Sequence, residues 1–472
     1  MDHLSPLDAA FLEAEDSDTH TSMGIASLGI FEGPAPSHAE MLALIERALP
    51  KIPRYRQRVR SVPLDLGPPV WVDDPAFDLR FHVRRTALPK PGGDVELRHL
   101  MARVMAQRID RERPLWETWI VEGLEGDRWA LLSKLHHSMA DGVSGTDLLR
   151  VVLDTSPDAP PPDHATALPP WTPEPEPSTL RLTVAAVRDL ALNPVGQLRS
   201  LERLVRAYGD FGRRALDTGR GLLALSGAIR PATGSSLNGP IGRQRRYRWA
   251  RADQADIKAV RSAFGGTMND VVLSAISGGF RALMIGRGEA PEAHSVRSLV
   301  PVSVRAPGEE GIYENRVSML LPFLPVDIAD PVARLEAVKA RLLELKSSRE
   351  AVAGQSITAL AGQEPFPLVS PLVRLGFRLP QRTIVTVTTN VPGPRAPLYA
   401  LGRRLLEIFP YVPISTTVRI GVAIFTYCDQ VTFGITGDYD SSGDIDVLVR
   451  GLEESFAELV KAATPASSAA KV

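Results

Sequence analysis

The sequence predicts an α/β protein of two mixed halves joined by a proline-rich connector. Three observations predict it. The chain has 472 residues, more than one ordinary core holds, so two domains are expected. Apolar runs with strand character alternate with segments of helical period on both sides of the middle. Between them, Thr155 to Ser178 is crowded with proline, including Pro160-Pro161-Pro162, Pro169-Pro170 and Pro173. Such a stretch cannot hold a regular element and reads as an exposed linker. The expected units are residues 1–154, a connector over 155–240 and a second unit over 241–472.

Each element has a local cause. Ser5-Pro6 reads as an N-cap and first helical position, with Asp8 in the first turn. Met41, Leu44, Ile45, Ala48 and Leu49 fall on one helical face. Val95, Leu97, Leu100, Met101, Val104 and Met105 mark another helix. Trp129, Ala130, Leu131, Leu132 and Leu135 make an apolar run. It reads as a buried strand ending at His136-His137, with a turn at Asp141-Gly142. A helix is expected over 144–153, and a helical, arginine-rich segment over 180–228. From Tyr247 onward, strands are expected near 295–304, 316–326, 383–391, 417–427 and 430–438. They alternate with helices near 253–264, 268–287, 331–347 and 443–463.

Composition excludes several classes. A net charge of −1 argues against a nucleic-acid binder. Hydrophobic residues make up 44% of the chain, which argues against global disorder. The one cysteine, Cys428, rules out an internal disulfide, reads as a small core residue and suits a reducing cytoplasm. There is no basic patch followed by an apolar core at the N-terminus, and no apolar run of the ~18–20 residues that span a bilayer. Any membrane contact is therefore expected to be peripheral.

Charge is unevenly placed. From Arg181 to Arg251 there are fourteen Arg, no Lys and four acids, a net of +10. Leu198, Leu201, Leu204, Val205, Tyr208 and Phe211 interleave there with Arg199, Arg203, Arg206, Arg213 and Arg214. Three readings stay open: a scaffold helix with solvated arginines, an amphipathic helix on an anionic membrane, or a site for the phosphates of coenzyme A.

The run His136-His137-Ser138-Met139-Ala140-Asp141-Gly142 carries the chemistry. Neighbouring strand side chains point to opposite faces. One imidazole can face a cavity while the other packs into the scaffold. A neutral imidazole, with a pKa near ~6.5, is a competent general base at neutral pH. The diverging rings chelate a single metal poorly, so no metal is expected. Ser144 in Gly142-Val143-Ser144-Gly145 lacks the spacing of a nucleophile elbow. No Walker or dinucleotide glycine fingerprint occurs.

The HHxxxDG run resembles the acyltransferases of the chloramphenicol acetyltransferase-like superfamily. Further matches are Leu4-Ser5-Pro6-Leu7-Asp8-Ala9-Ala10-Phe11-Leu12, Pro114-Leu115-Trp116 and Asn269-Asp270-Val271-Val272-Leu273. Pro301-Val302-Ser303-Val304-Arg305, Asn315-Arg316-Val317-Ser318 and Thr389-Asn390-Val391-Pro392-Gly393-Pro394 complete the set. Together, from about residue 4 to about 460, the chain resembles the bacterial wax ester synthase/diacylglycerol acyltransferases and, among them, mycobacterial-type triacylglycerol synthases.

The resemblance implies two chloramphenicol acetyltransferase-like α/β domains with an active-site tunnel between them. It implies acyl-CoA as co-substrate, no permanently bound cofactor, and diacylglycerol or a fatty alcohol as acceptor. It also implies peripheral contact with the inner membrane or a lipid droplet. His137, the second histidine, becomes the general base, and His136 is structural. Asp141 holds its loop through an arginine, with Arg58 as candidate partner, and Gly142 supplies backbone freedom. Asn269 is the candidate oxyanion donor; the alternative is a helix N-cap, and one residue can do both. Asp270 is a capping residue. Thr389 and Asn390 line the tunnel or form a turn. Pro114, Leu115 and Trp116 line the tunnel or pack near it. Two rival functions remain: a condensation-type enzyme using carrier-bound acyl groups, and a non-catalytic lipid-surface binding protein. Offering acyl-CoA beside acyl-carrier donors separates the first, and lipid binding without transfer marks the second.

Overall fold

Among the described residues, two six-stranded sheets, one centred on each half, and a small three-stranded sheet frame the protein. The computed structural model describes residues 2–139, 151–159, 171–192, 235–303, 317–347 and 384–464. In the N-terminal half the strands are β1 (Asp2–His3), β2 (Gly24–Glu32), β3 (Gln57–Arg60), β4 (Val70–Asp73), β5 (Val83–Ala87), β6 (Trp116–Leu124) and β7 (Arg128–His136). In the C-terminal half they are β8 (Arg245–Asp253), β9 (Ser298–Ser303), β10 (Val317–Leu320), β11 (Thr386–Pro392), β12 (Tyr399–Ala400), β13 (Arg403–Tyr411), β14 (Ile420–Tyr427) and β15 (Gln430–Asp438). The helices are α1 (Pro6–Ser17), α2 (His38–Ala48), α3 (Leu79–His82), α4 (Asp94–Ala106), α5 (Thr179–Leu192), α6 (Gln254–Phe264), α7 (Met268–Gly286), α8 (Pro331–Ser347) and α9 (Ile445–Ala463).

Local signals set the helix starts. The Ser5 side chain accepts from the Asp8 amide at the head of α1. Ser37 and Glu40 form a reciprocal capping box on α2. The faces read from the sequence are the buried ones: Met41, Leu44, Ile45 and Ala48 on α2, and Leu97, Leu100, Met101, Val104 and Met105 on α4. Val95 is the exception and is exposed.

The first large sheet runs β12-β13-β2-β7-β6-β5 and the second β10-β9-β11-β14-β15-β8. The sheet begun by the N-terminal half is thus completed by two strands from the far end of the chain. β13 lies antiparallel to β2, with Phe409 opposite Leu28 and Ile408 opposite Gly29. Across this junction Trp249 of β8 stacks on Phe409 at 4.3 Å, and the Tyr247 hydroxyl donates to the Pro410 carbonyl at 2.6 Å. β8 and β13 both escape sequence reading. β8 sits largely inside the arginine-rich run, where Tyr247 and Trp249 are the aromatic marks of a buried side that also takes in Arg245. β13 contains Pro410, which lowers a strand assignment; here its carbonyl is what the fold uses.

The expected strand at 316–326 is shorter: it stops at Leu320, before Pro322 and Pro325. The connector is only partly as expected. Its described proline-rich parts, 155–159 and 171–178, hold no helix, and α5 follows them. The second part is strapped to the small sheet rather than loose: the Glu174 amide donates to Asp73, and Glu176 pairs with Arg58 and Arg60. The helix expected over 144–153 and the amphipathic arginine segment beyond Leu192 lie largely or wholly outside the described residues.

The sheets meet closely at Gly434 on β15. A Cβ placed there would lie 1.7 Å from the Pro410 carbonyl oxygen. Gly434→Ala is therefore expected to cost about 1–3 kcal/mol or more, as overpacking against an immobile backbone does. Urea denaturation checks this; an unchanged midpoint would contradict the close contact.

Candidate active site

β7 pairs with β2 along its whole length, closing on His136 opposite Gly24. The strand ends there because His137–Met139 turns into a single 3-10 turn. Two backbone bonds hold this end from both sides. The His136 amide donates to the Leu115 carbonyl at 2.9 Å, and the His137 amide donates to the Met23 carbonyl at 2.9 Å. The two rings therefore stand on different elements, His136 on the strand and His137 in the turn.

His136 faces inward and is 1% exposed. Its Nδ1 accepts from the Ser138 amide at 3.2 Å and lies 2.7 Å from the Ser138 hydroxyl. A nitrogen that accepts from an amide carries no proton, so the neutral ring holds its proton on Nε2. Burial, reinforced by the Arg111 cation, pushes the His136 pKa down from 6.5 to about 3. Glu15 stands 3.8 Å from Nε2, too far for a hydrogen bond. Its carboxylate serves other donors: the Met23 amide at 2.9 Å and Arg111 at 2.8 Å. The distance alone would suggest an ion pair; burial and the nearer arginine decide for a neutral ring.

His137 is the first residue of the 3-10 turn and is half-buried. The Phe11 ring stacks on it, with centroids 3.9 Å apart and planes at 29°. Phe11 and Glu15 are four residues apart on α1, hence on one helical face. A single helix thereby meets both histidines, ring against ring at His137 and carboxylate beside His136. Lys134, two residues before His136 on β7, is buried and donates to the carbonyls of Val104 (2.9 Å) and Gln107 (2.6 Å). It thus satisfies the C-terminus of α4. Burial lowers its pKa to about 8, against the opposing pull of Glu117 and Glu15.

In the C-terminal half, the N-cap of α7 is Thr267 and not Asn269. The Thr267 side chain accepts from the Asp270 amide, while the Asp270 carboxylate accepts from the Thr267 amide (2.6 Å) and hydroxyl (2.8 Å). Asp270 is therefore the capping-box residue. Asn269, at the second helical position, is released from capping; its Oδ1 accepts from Asn390 Nδ2 at 2.5 Å. Thr389 and Asn390 are half-buried residues within β11, not a turn: the strand continues to Pro392 beside β14, with Asn390 opposite Ile424.

Pro114, Leu115 and Trp116 are buried. The Trp116 ring stacks on His82 at 4.6 Å and donates to the Tyr55 carbonyl at 2.9 Å. Asp141 and Gly142 lie outside the described residues. Arg58, the candidate partner of Asp141, is engaged by Glu112 (3.2 Å) and Glu176 (2.9 Å). Sequence reading assigned no role to Phe11, Glu15, Lys134 or Arg111. The available signal was the four-residue spacing of Phe11 and Glu15 on a helix already expected from Ser5-Pro6.

The neutral His136 has a consequence for stability. The unfolded chain takes up this proton near pH ~6.5, while the folded protein resists it down to about pH 3. The folded state therefore loses stability as pH falls through that window, at about 1.4 kcal/mol per pH unit. Urea denaturation of wild type and His136→Asn at pH 7, 6 and 5 checks this. The wild type is expected to lose stability more steeply, by that slope; parallel pH dependence would contradict it.

A family model described as the wax ester synthase/diacylglycerol acyltransferase catalytic domain matches residues 4–272. A second, described as the C-terminal domain of the same family, matches 313–460. The chain is 43% identical over 462 residues to the probable diacylglycerol O-acyltransferase tgs1 of Mycobacterium tuberculosis, covering 98% of this chain and 96% of that protein. It is similar to the solved wax ester synthase/diacylglycerol acyltransferase from Marinobacter aquaeolei, with a TM-score of 0.67 at 26% identity, covering 98% and 99% of the two chains. The trichothecene 15-O-acetyltransferase from Fusarium sporotrichioides shares the fold alone, with a TM-score of 0.61 at 13% identity over 97% of this chain and 94% of that one. The two α/β halves accordingly have the chloramphenicol acetyltransferase-like architecture. With both family models covering it nearly end to end, the chain belongs to the wax ester synthase/diacylglycerol acyltransferase family of O-acyltransferases.

Proposed function

We propose that this chain transfers the acyl group of a long-chain acyl-CoA to the free hydroxyl of a diacylglycerol, forming triacylglycerol. Fatty alcohols are accepted in the same way, giving wax esters. One observation carries the catalytic assignment: of two consecutive imidazoles, His136 is sealed and neutral, while His137 is half-buried. His137 is the ring that substrate can reach.

In this reading His137 takes the proton of the acceptor hydroxyl as its oxygen attacks the thioester carbon. The carbonyl oxygen becomes an oxyanion. Asn269 donates to it through Nδ2, the amide end left over when Oδ1 is held by Asn390. The carbon–sulfur bond then breaks, and His137 returns its proton to the thiolate, releasing the ester and free coenzyme A. No acyl-enzyme forms. Asp141 and Gly142 shape the loop after His137. The substrates meet in a passage between the two units, with Thr389 and Asn390 on its C-terminal wall. Residues 1–154 and 241–472 form the two units, and residues 155–240 join them.

Peripheral contact with a membrane or lipid droplet follows from the acceptor. Diacylglycerol has no appreciable aqueous pool, so the enzyme collects it at a lipid surface. No helix among the described residues is long and apolar enough to cross a membrane.

Labelled palmitoyl-CoA offered with diacylglycerol, hexadecanol and water as competing acceptors tests the reading. Triacylglycerol should be the main product and hydrolysis minor. His137→Ala should lose about 10²–10⁴ in kcat, the worth of a positioned base. Asn269→Ala should lose about 10²–10³, the worth of one oxyanion donor. Near-wild-type transfer by His137→Ala would remove the proposal.

A further inference from the structure

α1 does more than cover the catalytic turn. Its Phe11 ring lies against His137 at 3.9 Å between centroids and 29° between planes, a stacked pair. The helix that carries Phe11 is held independently at both ends. Ser5 caps its start. At its other end Glu15 receives the Met23 amide and Arg111, and Arg108 donates to the Glu15 and Asp18 carbonyls. Asp8, Ala9, Leu12, Glu13, Ala14 and Glu15 of this helix are all buried. Phe11 is thus a fixed wall and His137 the ring that leans on it.

Resting on the assignment of His137 as base, we infer that Phe11 is a positioning residue for acyl transfer, acting through the His137 imidazole. Two physical effects follow from the stack. The phenyl face blocks one side of the imidazole, so the ring cannot swing away from the acceptor hydroxyl. The same face is electron-rich, so it favours the imidazolium that exists once the proton has been taken. The titratable and charged groups on the elements around the His137 ring are His136 beside it in sequence, Lys134 on β7, Asp8 and Glu15 on α1, and Arg111, which pairs with Glu15. Their charges are common to every variant at position 11. A change confined to the aromatic face therefore isolates its contribution.

The test uses Phe11→Leu, Phe11→Tyr and Phe11→Trp in the full chain, with His137→Ala as reference. Rates with palmitoyl-CoA and diacylglycerol are followed from pH 5.5 to 9. Phe11→Leu keeps an apolar side chain but removes the ring. It is expected to lower kcat about tenfold with little change in KM for palmitoyl-CoA. The acidic limb of its kcat/KM profile should move to lower pH by about half a unit, because the imidazolium is less favoured. Phe11→Tyr and Phe11→Trp should restore both the rate and the limb. Wild-type kcat and an unmoved limb in Phe11→Leu would overturn the inference. So would a rate lost in all three variants with the limb unmoved, since α1 would then serve packing alone. Full transfer by His137→Ala would remove the general-base assignment itself, a failure distinct from either of these.

Discussion

The end of one strand sets the geometry of everything else. β7 ends at His136 and His137 opens a 3-10 turn, and two amides fix where that strand stops: His136 on Leu115, just before β6 on one side, and His137 on Met23, just before β2 on the other. Given those bonds, a pair of identical side chains becomes two different chemical groups. One imidazole is part of the interior. The other is left at the boundary, with a phenyl ring for support.

Keeping the interior imidazole neutral has its own logic. A buried cation there would be poorly solvated, and Arg111 already supplies positive charge nearby. The carboxylate of Glu15 is turned to use elsewhere, tying α1 to Met23 and Arg111. Met23 in turn supplies the carbonyl that holds His137. A chain of contacts therefore runs from α1 through Glu15 and Met23 to the catalytic turn. Buried ion pairs of this kind add little net stability, but breaking one partner is costly. Their value here is geometric: they fix the wall against which the exposed imidazole rests.

Much of this was legible in the sequence, for local reasons. Ser5-Pro6 announced α1, helical periodicity announced α2 and α4, and the apolar run before His136 announced β7. Strand alternation predicted that the two histidines differ, and they differ in burial, although His137 stands just past the strand end in a 3-10 turn. What escaped is non-local. β13 crosses from the far end of the chain to complete the first sheet, and no local pattern reports a partner nearly four hundred residues away. Asn269 carried two readings because Asn caps helices; the cap proved to be Thr267, two residues earlier, which frees the amide for Asn390. Leu115 and Trp116 drew attention by their place before the histidines; both are buried, and the Leu115 carbonyl anchors the His136 amide. Phe11 and Glu15 stood in a stretch already singled out, but helical spacing shows only that they share a face, not what that face touches.

The division of labour between the two imidazoles is most directly tested by NMR of ¹⁵N-histidine-labelled protein, with assignments from His136→Asn and His137→Asn. The ring signals lost in His136→Asn should show a neutral imidazole protonated on Nε2, unchanged from pH 7.5 to pH 5. Conversion of those signals to the imidazolium pattern by pH 6 would contradict a sealed, neutral His136, and with it the assignment of the reacting proton to His137.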